Sequence, residues 1–221
     1  MRTVVFDLDG TLADTSGDLI AAANACFAAR GLGEILDPVA DALIAFHGGR
    51  AMLRAGYERI AHPDAVGLIE ADYPVLLEYY GAHIDRHTVL YPGAVAAVEA
   101  LRGAGFATAI CTNKPEGLAR ELVARLGIAD LFGALIGADT LPLRKPDPTP
   151  YIAAVQAVGG TVARSVLIGD TETDRKTAAA AGVPSVLVTF GPEGRGIERL
   201  SPEALLDHYD DLPELVGRLI A

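Results

Sequence analysis

The sequence predicts an open, doubly wound α/β fold with a five-stranded parallel sheet and an all-helical domain inserted after the first strand. Three observations predict it. Five short runs rich in Val, Ile, Leu or Phe, at residues 3–6, 106–111, 134–137, 165–168 and 185–189, have the continuous apolar character of strands covered on both faces. Helical spacings of three and four separate most of these runs, and that alternation builds parallel sheets through helical crossovers. One long stretch, from about residue 15 to residue 86, carries helical spacings and no convincing strand.

Taken in order, the first strand runs straight into an Asp-Gly turn. Helical patterns then occupy residues 14–30, 38–46, 50–61 and 65–84, and Tyr91-Pro92-Gly93 marks the return to the sheet. The expected division is an α/β core of residues 1–13 and 88–221 and a helical cap domain of residues 14–87. Within the core, helices are expected at 94–104, 116–126, 151–158 and 173–181. Each is followed by a glycine that can stop it: Gly105, Gly127, Gly159 and Gly182. A last helix is expected at 213–220.

Length and composition set bounds on function. A chain of 221 residues, 51% hydrophobic and 21% charged, can bury one large core or a core with a small insert. Its net charge of −11 repels nucleic acid and anionic lipid, so neither is an expected partner. The same charge would repel a phosphorylated substrate, so such a substrate requires a cation at the site. Cys26 and Cys111 belong to no CxxC pair and are expected as buried free thiols. No leader pattern and no bilayer-length apolar run is seen, which makes a cytoplasmic location the expectation.

In an open parallel sheet, ligands bind beyond the carboxyl ends of the strands. The first strand ends in Asp7-Leu8-Asp9-Gly10-Thr11. Two carboxylates two residues apart point the same way on extended chain, and their repulsion favours a divalent cation. An acidic turn is the plainer reading of this segment alone. The second strand ends in Cys111-Thr112-Asn113-Lys114, a hydroxyl and an amide entering a helix N-terminus, able to hold phosphate oxygens or simply to cap the helix. After the third strand comes Arg144-Lys145-Pro146-Asp147-Pro148. Lysine is scarce, at positions 114, 145 and 176 alone, and the prolines stiffen the segment that carries Lys145. A fixed ammonium there could neutralise a carboxylate nucleophile and a phosphoryl group. The fourth strand ends in Gly169-Asp170-Thr171-Glu172-Thr173-Asp174, with Asp170 and Asp174 four apart and able to share one side of a helix start. Hard oxygen ligands of this kind suit Mg²⁺.

The ordered set Asp7-x-Asp9-Gly10-Thr11, Thr112-Asn113, Lys145 and Gly169-Asp170-x-x-x-Asp174 resembles the four motifs of the haloacid dehalogenase-like hydrolases. The likeness extends over the whole chain, including a helical cap after the first motif. It implies a Rossmann-like sheet in the strand order 5-4-1-2-3. Within that superfamily, Phe6-Asp7-Leu8-Asp9-Gly10-Thr11-Leu12, Thr112-Asn113-Lys114-Pro115, the segment from Gly137 to Pro142 and Arg144-Lys145-Pro146-Asp147-Pro148 look like those of bacterial phosphoglycolate phosphatases.

The resemblance implies a division of labour. Asp7 is the nucleophile and Asp9 the general acid and base, with Thr112, Asn113 and Lys145 binding the phosphoryl group. Mg²⁺ is held by Asp7, Asp9 through its backbone carbonyl, and Asp170, with Asp174 ordering the metal shell. In the helical domain, Gly48, Gly49 and Arg50 lie where related enzymes carry a specificity loop, and Arg50 is the expected contact for a substrate carboxylate. The expected partner is a small phosphorylated metabolite, and the chain a monomer or homodimer. Other readings stay open: a sugar, nucleotide or pyrophosphate phosphatase, a phosphosugar mutase, or a phospho-accepting signalling protein without turnover. A dehalogenase is disfavoured by Asp9, and a Schiff-base phosphonate hydrolase by the lack of any lysine before Lys114.

Overall fold

The computed structural model describes residues 1–220. It divides into two compact units, one made of Met1–Ala13 and the chain from Leu90 onward, the other of Asp14–Val89. The chain opens with β1 (Thr3–Phe6) and a short β2 (Ala13–Asp14). Helices α1 (Ser16–Ala29), α2 (Ala42–Ala45), α3 (Gly49–Arg59) and α4 (Ala65–Ala82) form the second unit. β3 (Val89–Leu90) follows and pairs with β2 as a two-stranded sheet. The remainder alternates: α5 (Ala94–Gly103), β4 (Ala107–Cys111), α6 (Glu116–Arg125), β5 (Ala134–Ile136), α7 (Thr149–Ala157), β6 (Ser165–Gly169), α8 (Glu172–Ala181) and β7 (Ser185–Val188). It ends with β8 (Ala204–Leu206) and α9 (Leu212–Leu219).

The main sheet has six parallel strands in the order β5-β4-β1-β6-β7-β8. The expectation of five strands in the row 5-4-1-2-3 is corrected accordingly. Numbered within this sheet alone and read from the β8 edge, the row is 6-5-4-1-2-3. The added edge strand, β8, pairs Val186 with Ala204 and Val188 with Leu206. Three residues are too few for a periodicity to show, which is why this strand escaped the sequence pattern. Glu203, just ahead of it, accepts from the Ser185 backbone N–H at 2.7 Å and from its hydroxyl at 2.9 Å, and so docks the edge on β7.

β1 lies at the centre, with Val4, Val5 and Phe6 fully buried. By the two-residue alternation of strands, Val5, Ala109 and Leu167 face one layer, where Tyr151, Ala154 and Val155 of α7 and Ala178 of α8 cover them. Each fully buried large apolar side chain contributes about 1.5–3 kcal/mol, so these central strands hold the unit together. The four glycines expected to stop helices all take positive φ: 81° at Gly105, 69° at Gly127, 70° at Gly159 and 69° at Gly182. Both cysteines are free and buried.

In the helical unit, Asp72 of α4 is buried and accepts a two-pronged bond from Arg30, at 2.9 Å from Nε and 2.6 Å from Nη2, together with the Tyr57 hydroxyl of α3. Residues 38–46 form turns with helix only at α2. The Asp37 carboxylate takes the Val39 and Ala40 N–H groups at 2.8 and 2.7 Å, donors at the start of this segment that have no helical acceptor of their own. Among the described residues, no helix is long and apolar enough to cross a membrane.

Candidate active site

Four strand ends of the sheet carry the polar residues singled out by the sequence. β1 stops at Asp7, whose N–H still bonds to Ile168 O of β6 at 2.9 Å. Gly10, at φ 80°, then turns the chain, and Leu8 O accepts from the N–H groups of Leu12 and Ala13. The Asp7 side chain is aimed by two contacts. Leu8 N–H donates to its Oδ1 at 2.7 Å, and Lys145 Nζ lies 3.1 Å from its Oδ2.

Lys145 is almost sealed, with a side chain 1% exposed, and it donates to Asp174 Oδ1 at 2.6 Å. The Lys145 backbone is pinned as well, because Asn113 Nδ2 donates to its carbonyl at 3.0 Å. Asn113 therefore ties the end of β4 to the lysine loop. Thr112 continues the β4 ladder by bonding Ile136 O, and its hydroxyl accepts from Lys114 N–H at 3.1 Å.

At the end of β6, Asp174 does two jobs. Thr171 is the N-cap of α8, and Asp174 completes a capping box with it. Asp174 Oδ2 accepts from the Thr171 hydroxyl at 2.7 Å, from Thr171 N–H at 3.1 Å and from Asp170 N–H at 3.3 Å, while Oδ1 receives Lys145. One residue thus caps a helix and holds the Lys145 ammonium. Gly169 is required by this packing: a Cβ there would stand 2.4 Å from Asp174 Cγ.

Asp170 is fully enclosed. Its Oδ1 accepts from the Thr11 hydroxyl at 2.8 Å, and its Oδ2 is buried with no hydrogen-bond partner. One carboxylate oxygen each from Asp7, Asp170 and Asp174 lies within 4.8 Å of the others. Burial raises the Asp7 carboxyl, Lys145 opposes, and Asp174 and Asp9 add to the rise, leaving it pushed up to about 6. Burial also raises Asp170, reinforced by Asp174 and Asp7. For Lys145 burial works against the charge, but Asp174 and Asp7 outweigh it and the ammonium is held more firmly than an ordinary lysine. Three clustered carboxylates, one oxygen of which is an orphan, fit a hard divalent cation. Asp174 has both oxygens engaged by protein, so the open valence is on Asp170.

Asp9 does not join that cluster. Its Oδ1 is 2.7 Å from Lys114 Nζ. Arg50 makes a two-pronged ion pair with Glu70 at 2.9 and 3.0 Å and stacks over Tyr73 at 3.7 Å, all inside the helical unit. Gly48, at φ 92°, precedes Gly49 at the start of α3. Sequence reasoning quoted Thr11 and Lys114 within motifs and gave neither a role. Thr11 orients Asp170, and its own carbonyl is held by the Tyr209 hydroxyl at 2.7 Å. Lys114 pairs with Asp9, and its rarity was the available signal.

The model of the haloacid dehalogenase-like hydrolases matches residues 1–182. The chain belongs to that family. Within it, the chain is similar to proteins named phosphoglycolate phosphatase. One from Mesorhizobium japonicum is 37% identical over 220 residues, covering 98% of this chain and 96% of that protein. One from Cereibacter sphaeroides is 37% identical over 226 residues and covers both chains fully. Among solved structures, a chain titled a predicted phosphoglycolate phosphatase from Haemophilus somnus superposes with a TM-score of 0.86 over 97% of each chain at 24% identity, a likeness of fold.

Proposed function

We propose that this chain is a phosphatase that hydrolyses small phosphate monoesters, 2-phosphoglycolate first among them, through a phosphorylated Asp7. The observation that carries the reading is the Asp7 carboxylate at the end of β1, 3.1 Å from a buried Lys145 and clustered with Asp170, whose Oδ2 lacks a partner. The names of the full-length relatives support the choice of substrate.

Asp7 and Asp170, with the Asp9 backbone carbonyl, would hold a Mg²⁺ ion. Such an ion supplies charge neutralisation for the attacking carboxylate and the phosphoryl oxygens. Asp7 attacks phosphorus, and the bond from phosphorus to the ester oxygen breaks. Asp9, which takes up a proton as the substrate enters, hands it to the departing oxygen, releasing the alcohol. The resulting Asp9 carboxylate then takes a proton from water as the water oxygen attacks phosphorus. The bond from phosphorus to Asp7 breaks, phosphate leaves, and both aspartates return to their starting states.

Thr112 and the Asn113 backbone bind phosphoryl oxygens. Lys145 offsets the charge gathered near Asp7, and Asp174 holds Lys145 in position. Within the helical unit the Arg50 fork is held by Glu70 and is assigned no substrate contact. The test is phosphate release from a panel of 2-phosphoglycolate, sugar phosphates, nucleotides and pyrophosphate with added Mg²⁺. The proposal expects turnover that is highest for 2-phosphoglycolate and abolished in Asp7→Asn. Comparable rates for Asp7→Asn and the unaltered chain reject it.

A further inference from the structure

The phosphoryl chemistry gives Lys114 no task, yet its ammonium is buried at the site. The chain has three lysines. Lys145 is shared by Asp7 and Asp174, and Lys176 is a surface residue beside Glu172. The Lys114 side chain is 4% exposed, with Nζ 2.7 Å from Asp9 Oδ1. Burying an ammonium is costly unless its charge is answered. Its backbone is held on both sides, by Lys114 N–H to Thr112 Oγ1 at 3.1 Å and by Ala138 N–H to Lys114 O at 2.9 Å. The same bond that orients the Thr112 hydroxyl thus sets where the Lys114 side chain starts.

We propose that Lys114 determines specificity by binding an anionic group on the leaving half of the substrate: a carboxylate one or two carbons from the ester oxygen. This rests on the reading that Asp9 meets that oxygen. A cation 2.7 Å from an Asp9 oxygen then stands within reach of a group on the next carbon or two. The Lys114 ammonium donates to Asp9, and its positive charge draws a carboxylate carried on a neighbouring carbon of the substrate. The two buried lysines divide a doubly anionic substrate between them, Lys145 at the phosphoryl end and Lys114 at the carboxylate end. In a chain of net charge −11, such local cations are what allow that substrate to enter. Arg50 is less suited, because its fork is committed to Glu70 and its face to Tyr73.

The experiment compares kcat/KM for 2-phosphoglycolate with that for 2-hydroxyethyl phosphate, which has the same carbon count and no carboxylate. The unaltered chain is expected to prefer the carboxylated ester. Lys114→Met should reduce that preference by about tenfold to a hundredfold, the scale of a lost charge-assisted bond. Lys114→Gln, a second variant should Met fail to fold, should do the same. A preference that survives either folded variant overturns the inference and leaves the phosphatase reading standing. So does an equal fall for both esters, which would make Lys114 a support for Asp9 alone. An unaltered chain that hydrolyses both esters equally overturns the inference together with the assignment of 2-phosphoglycolate, and one that hydrolyses neither overturns the proposed function as well.

Discussion

Lys145 donates to Asp174 at 2.6 Å while capping residue Thr171 donates to the other oxygen of the same carboxylate at 2.7 Å. One buried aspartate thereby joins a helix start to a lysine that also touches Asp7. Asp174→Ala would leave a buried ammonium with less counter-charge and strip the acceptor from the Asp170–Thr171 turn. Breaking one side of a buried pair costs about 3–5 kcal/mol, so urea unfolding should show a loss of that order. A loss under about 1 kcal/mol on that scale would mean that Asp174 carries no such burden.

Thr11→Val removes the hydroxyl that orients Asp170. With Asp170 as the proposed metal ligand, loss of such a bond should weaken metal binding about 10–100-fold. Calorimetric titration with Mg²⁺ should show that loss with the fold retained. Unchanged affinity would detach Thr11 from the metal site.

The pH dependence of the metal-free chain follows from Asp7, raised from 3.8 to about 6. Between those values the native state holds a proton that the unfolded state has released. Native protein then binds more protons, so stability falls as pH rises through this window. Asp170, raised in the same sense, adds to the fall. The proposed Mg²⁺ would compete with these protons, so its apparent affinity should climb as pH rises. Urea melts in chelator from pH 4 to 7.5 test the sign; a metal-free chain that gains stability across that range contradicts it.

Arg50→Ala breaks an ion pair confined to the helical unit. It should change KM for 2-phosphoglycolate and 2-hydroxyethyl phosphate by the same factor. A selective rise for the carboxylated ester would return carboxylate recognition to Arg50.

The strand ends were legible because buried parallel strands are short apolar runs, and the polar residues following them stand out against that background. Asp7, Thr112 and Asp170 stood out that way, and Lys145 by the scarcity of lysine and the prolines around it. The edge strand at Ala204–Leu206 was not, because three residues carry no period. The helix expected over 38–46 is reduced to Ala42–Ala45, with turns on either side. The tie between Lys114 and Asp9 spans 105 positions, and that between Thr11 and Asp170 spans 159. Such bonds depend on which strands become neighbours, and local pattern says nothing of it. Arg50 shows the converse: its residue type suits a carboxylate, and the carboxylate it meets in the fold is Glu70.

The most direct test of the central claim is to trap the phosphorylated enzyme. Borohydride added during turnover of 2-phosphoglycolate reduces an aspartyl phosphate to homoserine, which peptide mass spectrometry locates. Homoserine is expected at position 7, dependent on both substrate and Mg²⁺. Continued phosphate release with Asp7 unmodified, or with the label on another carboxylate, would contradict it.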